Sequence, residues 1–215
     1  QRGLHDPRSK ALLNVTRLIQ FLASSQPDGV GYILENVPGT EKHRLITEMW
    51  GDAALLDAPP CGSGAQRRTL FWQNLAPRSQ VLERFNALPA PTTSINQRLR
   101  DAGIHDWSTQ TLTPGFNMPH NDPYNQPGRP QVAISKVVCY SGSHAFRIKK
   151  GRPGPGMMFH GDNLREPTYD VCEILMGFTQ GDLAVPSLTP TERRRLLGQC
   201  IDINLLTWLV RHTLP

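Results

Sequence analysis

The first part of the chain alternates between two periods of apolar residues, that of helices and that of strands. Residues 6–24 predict an amphipathic helix, because apolar residues recur there at helical spacing: Leu12, Val15, Leu18, Ile19 and Leu22. Asp6 as N-cap and Pro7 at the first helical position suit the start of this helix. Short strands are predicted at GYILENV, AALLDAP and RTLFWQN, with a second helix at TEKHRLITEMW. This alternation predicts an α/β layered sheet with residues 1–76 as its core.

The pattern changes after Pro77. Residues 77–160 are rich in Pro, Gly, Asn, Ser and Thr, with one clear strand candidate at QVAISKVVCY and little helical periodicity. Such a stretch is typical of an inserted, loop-rich recognition segment. In residues 161–215 helices are again predicted, at YDVCEILMGF, TPTERRRLL and INLLTWLVRHTL, and we expect them to pack back on the core.

Composition and charge narrow the class of protein. With 215 residues and 38% apolar content, the chain has material for one ordinary domain, or for a domain plus a small insertion. It contains no apolar run of membrane-spanning length, and no membrane partner is expected. The cysteines are far apart and form no CxxC pair, which predicts a reduced intracellular protein without structural zinc: they are Cys61, Cys139, Cys172 and Cys200.

Positive charge is concentrated in one segment. The formal net charge of +5 hints at an anionic partner. Between Pro127 and Gly156 there is no acidic residue, whereas six are basic: Arg129, Lys136, Arg147, Lys149, Lys150 and Arg152. This segment is either a solvated basic loop or a surface that contacts phosphates.

A carboxylate stands at the end of an apolar strand. Glu35 follows GYIL directly, and a carboxylate in such a place is costly to desolvate. Open α/β sheets place their sites at the carboxyl ends of strands, so Glu35 is a candidate functional residue. A capping or salt-bridged glutamate is the structural alternative.

Five strings, in order, resemble the conserved motifs of DNA cytosine-5 methyltransferases. RGLHDPRSKALLNVTRLI resembles the motif after the catalytic cysteine loop, and ENV resembles the hallmark glutamate motif. The arginine motif and the ninth and tenth motifs are matched by AQRRTLFWQN, REPTYDVCEILMGF and RRRLLGQCIDINLLTWLV. The sequence is similar to the de novo group of animals and plants in two further features: the arginine motif ends in FW, and RLLG precedes the final helix. The resemblance implies the C-terminal half of a Rossmann-like class I methyltransferase sheet carrying a target-recognition insertion.

The resemblance also implies roles for individual residues. Glu35 would bind N3 and the exocyclic amine of a flipped cytosine, and Arg67 would orient that carboxylate or a DNA phosphate. An S-adenosylmethionine pocket would be lined by Gln199, Cys200 and Ile201. The positive charge of the 127–156 segment, and not the resemblance, predicts contacts to double-stranded DNA by Lys136, Arg147, Lys149, Lys150 and Arg152. In a eukaryote such an enzyme would be nuclear.

The sequence departs from the family pattern in several places. Thr69 stands where the family has a second arginine, and Arg68 should point to the opposite face of the strand. Val138 stands where mammalian members place the arginine that reads the guanine of CpG, and the family's Gly-Asn is here Gly198-Gln199.

The Gly-rich cofactor strand and the Pro-Cys nucleophile loop, which in the family precede the motif at Gly3, are absent from these 215 residues. The pair Pro60-Cys61 follows ENV instead of preceding it, so Cys61 is not expected to be the nucleophile. The sequence therefore predicts a DNA cytosine-5 methyltransferase that is incomplete as given and inactive alone. Its partner would be the missing N-terminal half, from the same gene or a separate chain. Two alternatives stay open: a non-catalytic regulatory or DNA-binding relative, and an RNA methyltransferase of the tRNA kind.

Overall fold

The computed structural model describes residues 10–26, 29–36, 38, 42–65, 67–89, 95–108 and 158–214. The elements of these ranges, in chain order, are α1 (Lys10–Ser25), β1 (Ile33–Asn36), α2 (Lys42–Trp50), β2 (Ala54–Asp57), a 3-10 turn (Pro59–Cys61), β3 (Arg68–Gln73), α3 (Arg78–Asn86), α4 (Ile95–Asp101), β4 (Trp107–Ser108), β5 (Met158–His160), β6 (Asn163–Arg165), α5 (Tyr169–Leu175), α6 (Pro190–Gln199) and α7 (Ile203–Thr213). The chain divides into two compact units, which are described separately.

The first unit comprises residues 1–56, 68–86 and 212–215. Its three strands lie in the order β1-β3-β2, and β1 pairs antiparallel with β3 so that Ile33 faces Gln73 and Asn36 faces Leu70. Strand β3 is rich in residues that favour strands, and α2 packs against it. The core of this unit consists of Ile46, Ala54, Leu56, Phe71, Trp72 and Val81.

The second unit comprises residues 57–67 and 87–211. Strands β4, β5 and β6 form a small antiparallel sheet, and α4 and α6 both contact α5. Threonines begin two of the helices: Thr168 caps α5, and Thr189 forms a capping box with Glu192 at the start of α6. The main apolar cluster consists of Ala65, Ile95, Leu99, Trp107, Met158, Val171, Cys172, Leu175, Met176 and Leu197.

The predicted α/β class is confirmed, as are the helices and strands predicted for the described residues. Two helices within the 77–160 segment, α3 and α4, were not predicted. Both helices are short, and each places only a few apolar residues at helical spacing, Val81, Leu82 and Phe85 in α3 and Ile95 and Leu99 in α4, within a segment whose composition favours loops. The strand predicted at QVAISKVVCY and the helix start at Asp6 and Pro7 lie outside the described residues. The boundaries at 76/77 and 160/161 stay predictions.

Helix α1 exposes part of its apolar stripe. Within the described part of the first unit, Val15, Leu18 and Phe21 are 38%, 55% and 66% exposed, whereas Thr16 is buried. We call these three residues the α1 apolar face. In the ranges that the structure describes, no helix combines the length and the hydropathy needed to cross a membrane.

Candidate functional site

Glu35 lies on a paired stretch of β1 in the first unit. Its partner residue across the antiparallel ladder is Phe71 of β3, which is 1% exposed. Glu35 is half-buried, and its Oε1 atom is shielded from solvent. The structure therefore presents a carboxylate that is partly desolvated and carried by a hydrogen-bonded strand, as the sequence analysis expected.

The N-terminal end of β1 is held in place by side chains. The Asn74 amide accepts a hydrogen bond from the Tyr32 backbone N–H (2.8 Å) and donates one to the Val30 carbonyl (2.8 Å), which extends the β1–β3 ladder. The Tyr32 ring packs edge-on against Trp50, with 4.7 Å between the ring centroids. Burial raises the pKa of the Tyr32 hydroxyl, so it stays protonated at neutral pH. These contacts hold the N-terminal end of the strand that carries Glu35.

Arg67 lies at the end of the segment that joins β2 to β3, residues 57–67, which we call the linker. It is 5% exposed. Its backbone N–H donates to Oδ1 of Asp57 (3.1 Å), and Nη2 donates to the Gly198 carbonyl (3.2 Å). Gly198 belongs to the last turn of α6, where carbonyls have no partner within the helix and a cation is favourable. In the second unit Arg67 is thus a buried residue that binds the C-terminal end of α6.

The three predicted cofactor residues lie at the junction between α6 and α7. Gln199 is exposed, whereas Cys200 and Ile201 are half-buried. Cys200 ends α6 in an extended conformation, and its N–H donates to the Leu196 carbonyl (2.8 Å). Burial raises the pKa of the Cys200 thiol, and the positive charge of Arg67 opposes this shift. The structure therefore brings Arg67 to the predicted cofactor residues.

Two functional candidates at this junction were missed by the sequence analysis. Ser63 and Asp202 are 2% and 1% exposed, and Ser63 Oγ donates to Asp202 Oδ2 over 2.5 Å. Asp202 Oδ1 accepts from the Leu205 N–H (3.1 Å), so this side chain caps α7. Burial raises the pKa of Asp202 to about 6, and its hydrogen bonds limit the rise. The signal available in the sequence was an aspartate directly before the apolar helix INLLTWLV.

Cys61 has the properties of an unreactive thiol. Burial, followed by the negative charges of Asp202 and Asp57, raises its pKa to about 12. Because the thiolate is the nucleophile, Cys61 is unsuited to attack a base at neutral pH. This agrees with the expectation that the Pro60-Cys61 pair is not the nucleophile loop.

The residues of the arginine motif alternate in exposure. Arg68 is exposed, whereas Thr69 is 1% exposed in the first unit. Arg68 and Thr69 therefore lie on opposite faces of β3, as strand geometry predicted.

The structure does not describe the remaining predicted residues. Lys136, Arg147, Lys149, Lys150, Arg152 and Val138 lie outside the described residues. Glu35 and Arg67 belong to different units. Within the described ranges, no group of three or more His, Cys, Asp or Glu side chains is arranged to hold a metal ion.

Comparison with known proteins establishes the fold. No family model and no curated protein matches the chain. The chain is similar to the crystal structure of S. pombe Dnmt2 methyltransferase, with a TM-score of 0.52 and 17% sequence identity over 97% of this chain and 74% of that one. At this identity the similarity concerns the fold, which is methyltransferase-like. The predicted fold class, part of a Rossmann-like methyltransferase sheet, is therefore confirmed.

Proposed function

We propose that the chain is part of an S-adenosylmethionine-dependent DNA cytosine-5 methyltransferase, of the de novo kind, in which Glu35 reads the target base. The observation that carries this proposal is the half-buried Glu35 on β1, in a chain with a methyltransferase-like fold. The ENV string and the order of the other motifs support the same reading.

Glu35 has the chemistry that a cytosine site requires. An enzyme that modifies C5 must take the base out of the duplex and bind its Watson–Crick edge. When a thiolate adds to C6, negative charge accumulates on the ring. A carboxyl group at N3 and the exocyclic amine stabilises that charge and distinguishes cytosine from thymine, which has a carbonyl at the amine position. Shielding of Oε1 from solvent strengthens such hydrogen bonds.

The α6–α7 junction fits one wall of a cofactor pocket. Cys200 and Ile201 are half-buried and offer apolar surface, and the exposed Gln199 amide can both donate and accept hydrogen bonds. Ligand pockets combine these two features. S-adenosylmethionine supplies the methyl group when it is bound. The role of this chain would be to hold the cofactor with residues 199–201. Arg67 would contribute by binding the carbonyl of Gly198, the residue before this segment.

The proposed nucleic acid is double-stranded DNA. The basic segment 127–156 would supply phosphate contacts, because its six positive charges are opposed by no acidic residue. The other proposed partner is the polypeptide that carries the Gly-rich cofactor strand and the Pro-Cys loop. We expect these 215 residues to transfer no methyl group without it.

The test joins the chain to an upstream segment that carries both missing motifs, taken from its own gene or from a methyltransferase of the same motif order. Transfer of labelled methyl from S-adenosylmethionine to cytosine-containing duplex DNA is then measured, with a structured RNA as second substrate. Glu35→Gln should lower the rate by about 10²–10⁴-fold. Glu48→Gln, on the exposed side of α2, should leave it unchanged. Equal rates for wild type and Glu35→Gln would refute the role of Glu35, and transfer to RNA alone would favour the tRNA-type alternative.

A second candidate function is a regulatory or DNA-binding relative that has lost the chemistry. The observation that favours it is Thr69, which is buried where the resembled family has an arginine. This candidate predicts that the chain joined to the upstream segment, which we call the joined protein, binds DNA and cofactor yet methylates neither DNA nor RNA. Placing Arg at Thr69 would then be the first substitution to test for restored transfer.

A further inference from the structure

The linker makes two side-chain hydrogen bonds to the α6–α7 junction, one on each side of the predicted cofactor residues. Arg67 Nη2 donates to the Gly198 carbonyl (3.2 Å), and Ser63 Oγ donates to Asp202 Oδ2 (2.5 Å). Residues 199–201 are the three residues between these two attachment points. Both contacts lie within the second unit.

The Ser63 hydroxyl has more acceptors than protons, and the geometry indicates which acceptor it uses. Ser63 Oγ lies 3.0 Å from the Ala65 carbonyl, 3.1 Å from the Leu175 carbonyl and 2.5 Å from Asp202 Oδ2. A hydroxyl donates only one hydrogen bond, and a carboxylate is the strongest acceptor of the three. The Ala65 N–H donates to the same Oγ (2.9 Å), so Ser63 accepts from the linker backbone while it donates to Asp202.

Backbone contacts hold the surrounding parts of the junction. Gly64 N–H donates to the Leu175 carbonyl (2.8 Å), and Ile203 N–H donates to the Met176 carbonyl (2.9 Å). The linker and the start of α7 therefore both bind the C-terminal end of α5. Gly64 is required there, because a Cβ atom would lie 2.5 Å from Leu175 Cδ2. Backbone hydrogen bonds thus hold the chain on both sides of the Ser63–Asp202 contact, and this contact joins the linker to the start of α7.

We propose that Ser63 and Asp202 are positioning residues that fix the conformation of residues 199–201 for cofactor binding. The inference rests on the proposed function for its cofactor, because it assigns these residues to the same pocket. Neither side chain needs to touch the cofactor. They restrict the conformational freedom of residues 199–201 before the cofactor binds. Binding then does not include the entropic cost of ordering this segment.

The conformation of the junction can be measured without any cofactor, through the half-buried Cys200 thiol. Alkylation of Cys200 is followed by peptide mass spectrometry, which separates it from the other cysteines. Ser63→Ala should speed alkylation by roughly tenfold, the effect of losing one hydrogen bond to a charged group. Ser187→Ala, at an exposed serine of the same unit, is the matched control and should match the wild-type rate.

Asp202→Asn is the conservative second variant. The asparagine Oδ1 can still accept from the Leu205 N–H, and its Nδ2 can donate to Ser63 Oγ, so alkylation should stay within about twofold of the wild type. Asp202→Ala loses both contacts and should resemble Ser63→Ala or exceed it. An unchanged Cys200 rate in a folded Ser63→Ala protein would overturn the proposal.

Calorimetry of S-adenosylmethionine binding to the joined protein separates this proposal from the proposed function. If the wild type binds the cofactor, Ser63→Ala should weaken binding by roughly tenfold and Asp202→Asn by much less. The KM for the cofactor should rise while kcat changes little. Equal affinity in Ser63→Ala and wild type would overturn the positioning role. A wild type that binds no cofactor refutes the proposed function, whereas faster Cys200 alkylation in Ser63→Ala would still support the junction contact.

Discussion

Arg193 of α6 binds the buried Glu173 of α5 in the second unit. Nη2 and Nε of Arg193 lie 2.6 Å and 3.0 Å from Glu173 Oε1, and Glu173 is 0% exposed. The other carboxylate oxygen, Oε2, accepts from the Gly181 N–H (2.6 Å), and Asp170 binds the same guanidinium (2.6 Å). The buried carboxylate of Glu173 therefore has a cation and a backbone N–H as partners, and it shares the cation with Asp170.

Removing one partner of this pair should be strongly destabilising. Arg193→Ala leaves a buried carboxylate without its cation, and such changes cost about 3–5 kcal/mol of unfolding free energy. Arg195→Ala, on the exposed side of the same helix, should change it by less than about 0.5 kcal/mol. Urea unfolding monitored by circular dichroism compares the two variants. A similar loss in both would show that the Arg193 pair contributes no more than a surface charge.

Such contacts mark the limit of what the sequence predicts. The strand RTLFWQN and the helix INLLTWLVRHTL were predicted because their own residues carry the apolar pattern. Glu35 was singled out as a candidate functional residue because it directly follows the apolar run GYIL. The Ser63–Asp202 contact joins residues 139 positions apart, and no local period encodes it. The strand order β1-β3-β2 could not be predicted from local sequence either, because strand pairing depends on residues that are distant in the chain. Helix α3 was missed although Val81, Leu82 and Phe85 follow helical spacing, because the composition of residues 77–160 favoured loops.

The raised pKa of Asp202 predicts how stability depends on pH. The ordinary value is 3.8 and the folded value is about 6, so between them the folded state binds a proton that the unfolded state does not. The contribution of Asp202 to stability is thus fully present below about pH 4 and is lost as the pH rises through about 6. The shift corresponds to about 3 kcal/mol. Among the described residues, Cys61 and Arg98 are titratable groups that interact with Asp202.

Asp202→Asn tests this dependence, because it keeps the shape but cannot titrate. Unfolding free energies measured in urea from pH 4 to pH 7.5 should fall with rising pH in the wild type more steeply than in the variant. The variant should be the more stable protein at pH 7. Exposed Asp162→Asn is the control and should follow the wild-type curve. Parallel curves for wild type and Asp202→Asn would contradict the prediction.

The α1 apolar face predicts self-association of the isolated chain. Leu18 and Phe21 are 55% and 66% exposed, and neighbouring exposed apolar side chains favour contact with other surfaces. Replacing both with Ser should weaken self-association by at least about tenfold, because each buried side chain contributes about 1.5–3 kcal/mol. Sedimentation velocity over a concentration series measures this. Gln20→Ser, at an exposed polar position of the same helix, should leave the distribution unchanged.

The basic segment predicts how DNA binding depends on salt. Lys149 and Lys150 belong to a stretch of 127–156 that contains six basic residues and no acidic one. If the two lysines neutralise phosphates, Lys149→Ala with Lys150→Ala should weaken duplex binding uniformly across sequences. The slope of log K against log salt should become shallower by roughly one to two units, since each phosphate contact releases about one counterion.

Fluorescence anisotropy of labelled duplexes at several salt concentrations measures the slope in the joined protein. Arg17→Ala with Arg195→Ala, at two exposed arginines outside the segment, provides a control of equal charge. The control should keep the wild-type slope. If the lysine variant also keeps it, while both proteins bind DNA, the segment is a solvated basic loop and the phosphate contacts must come from another part of the protein.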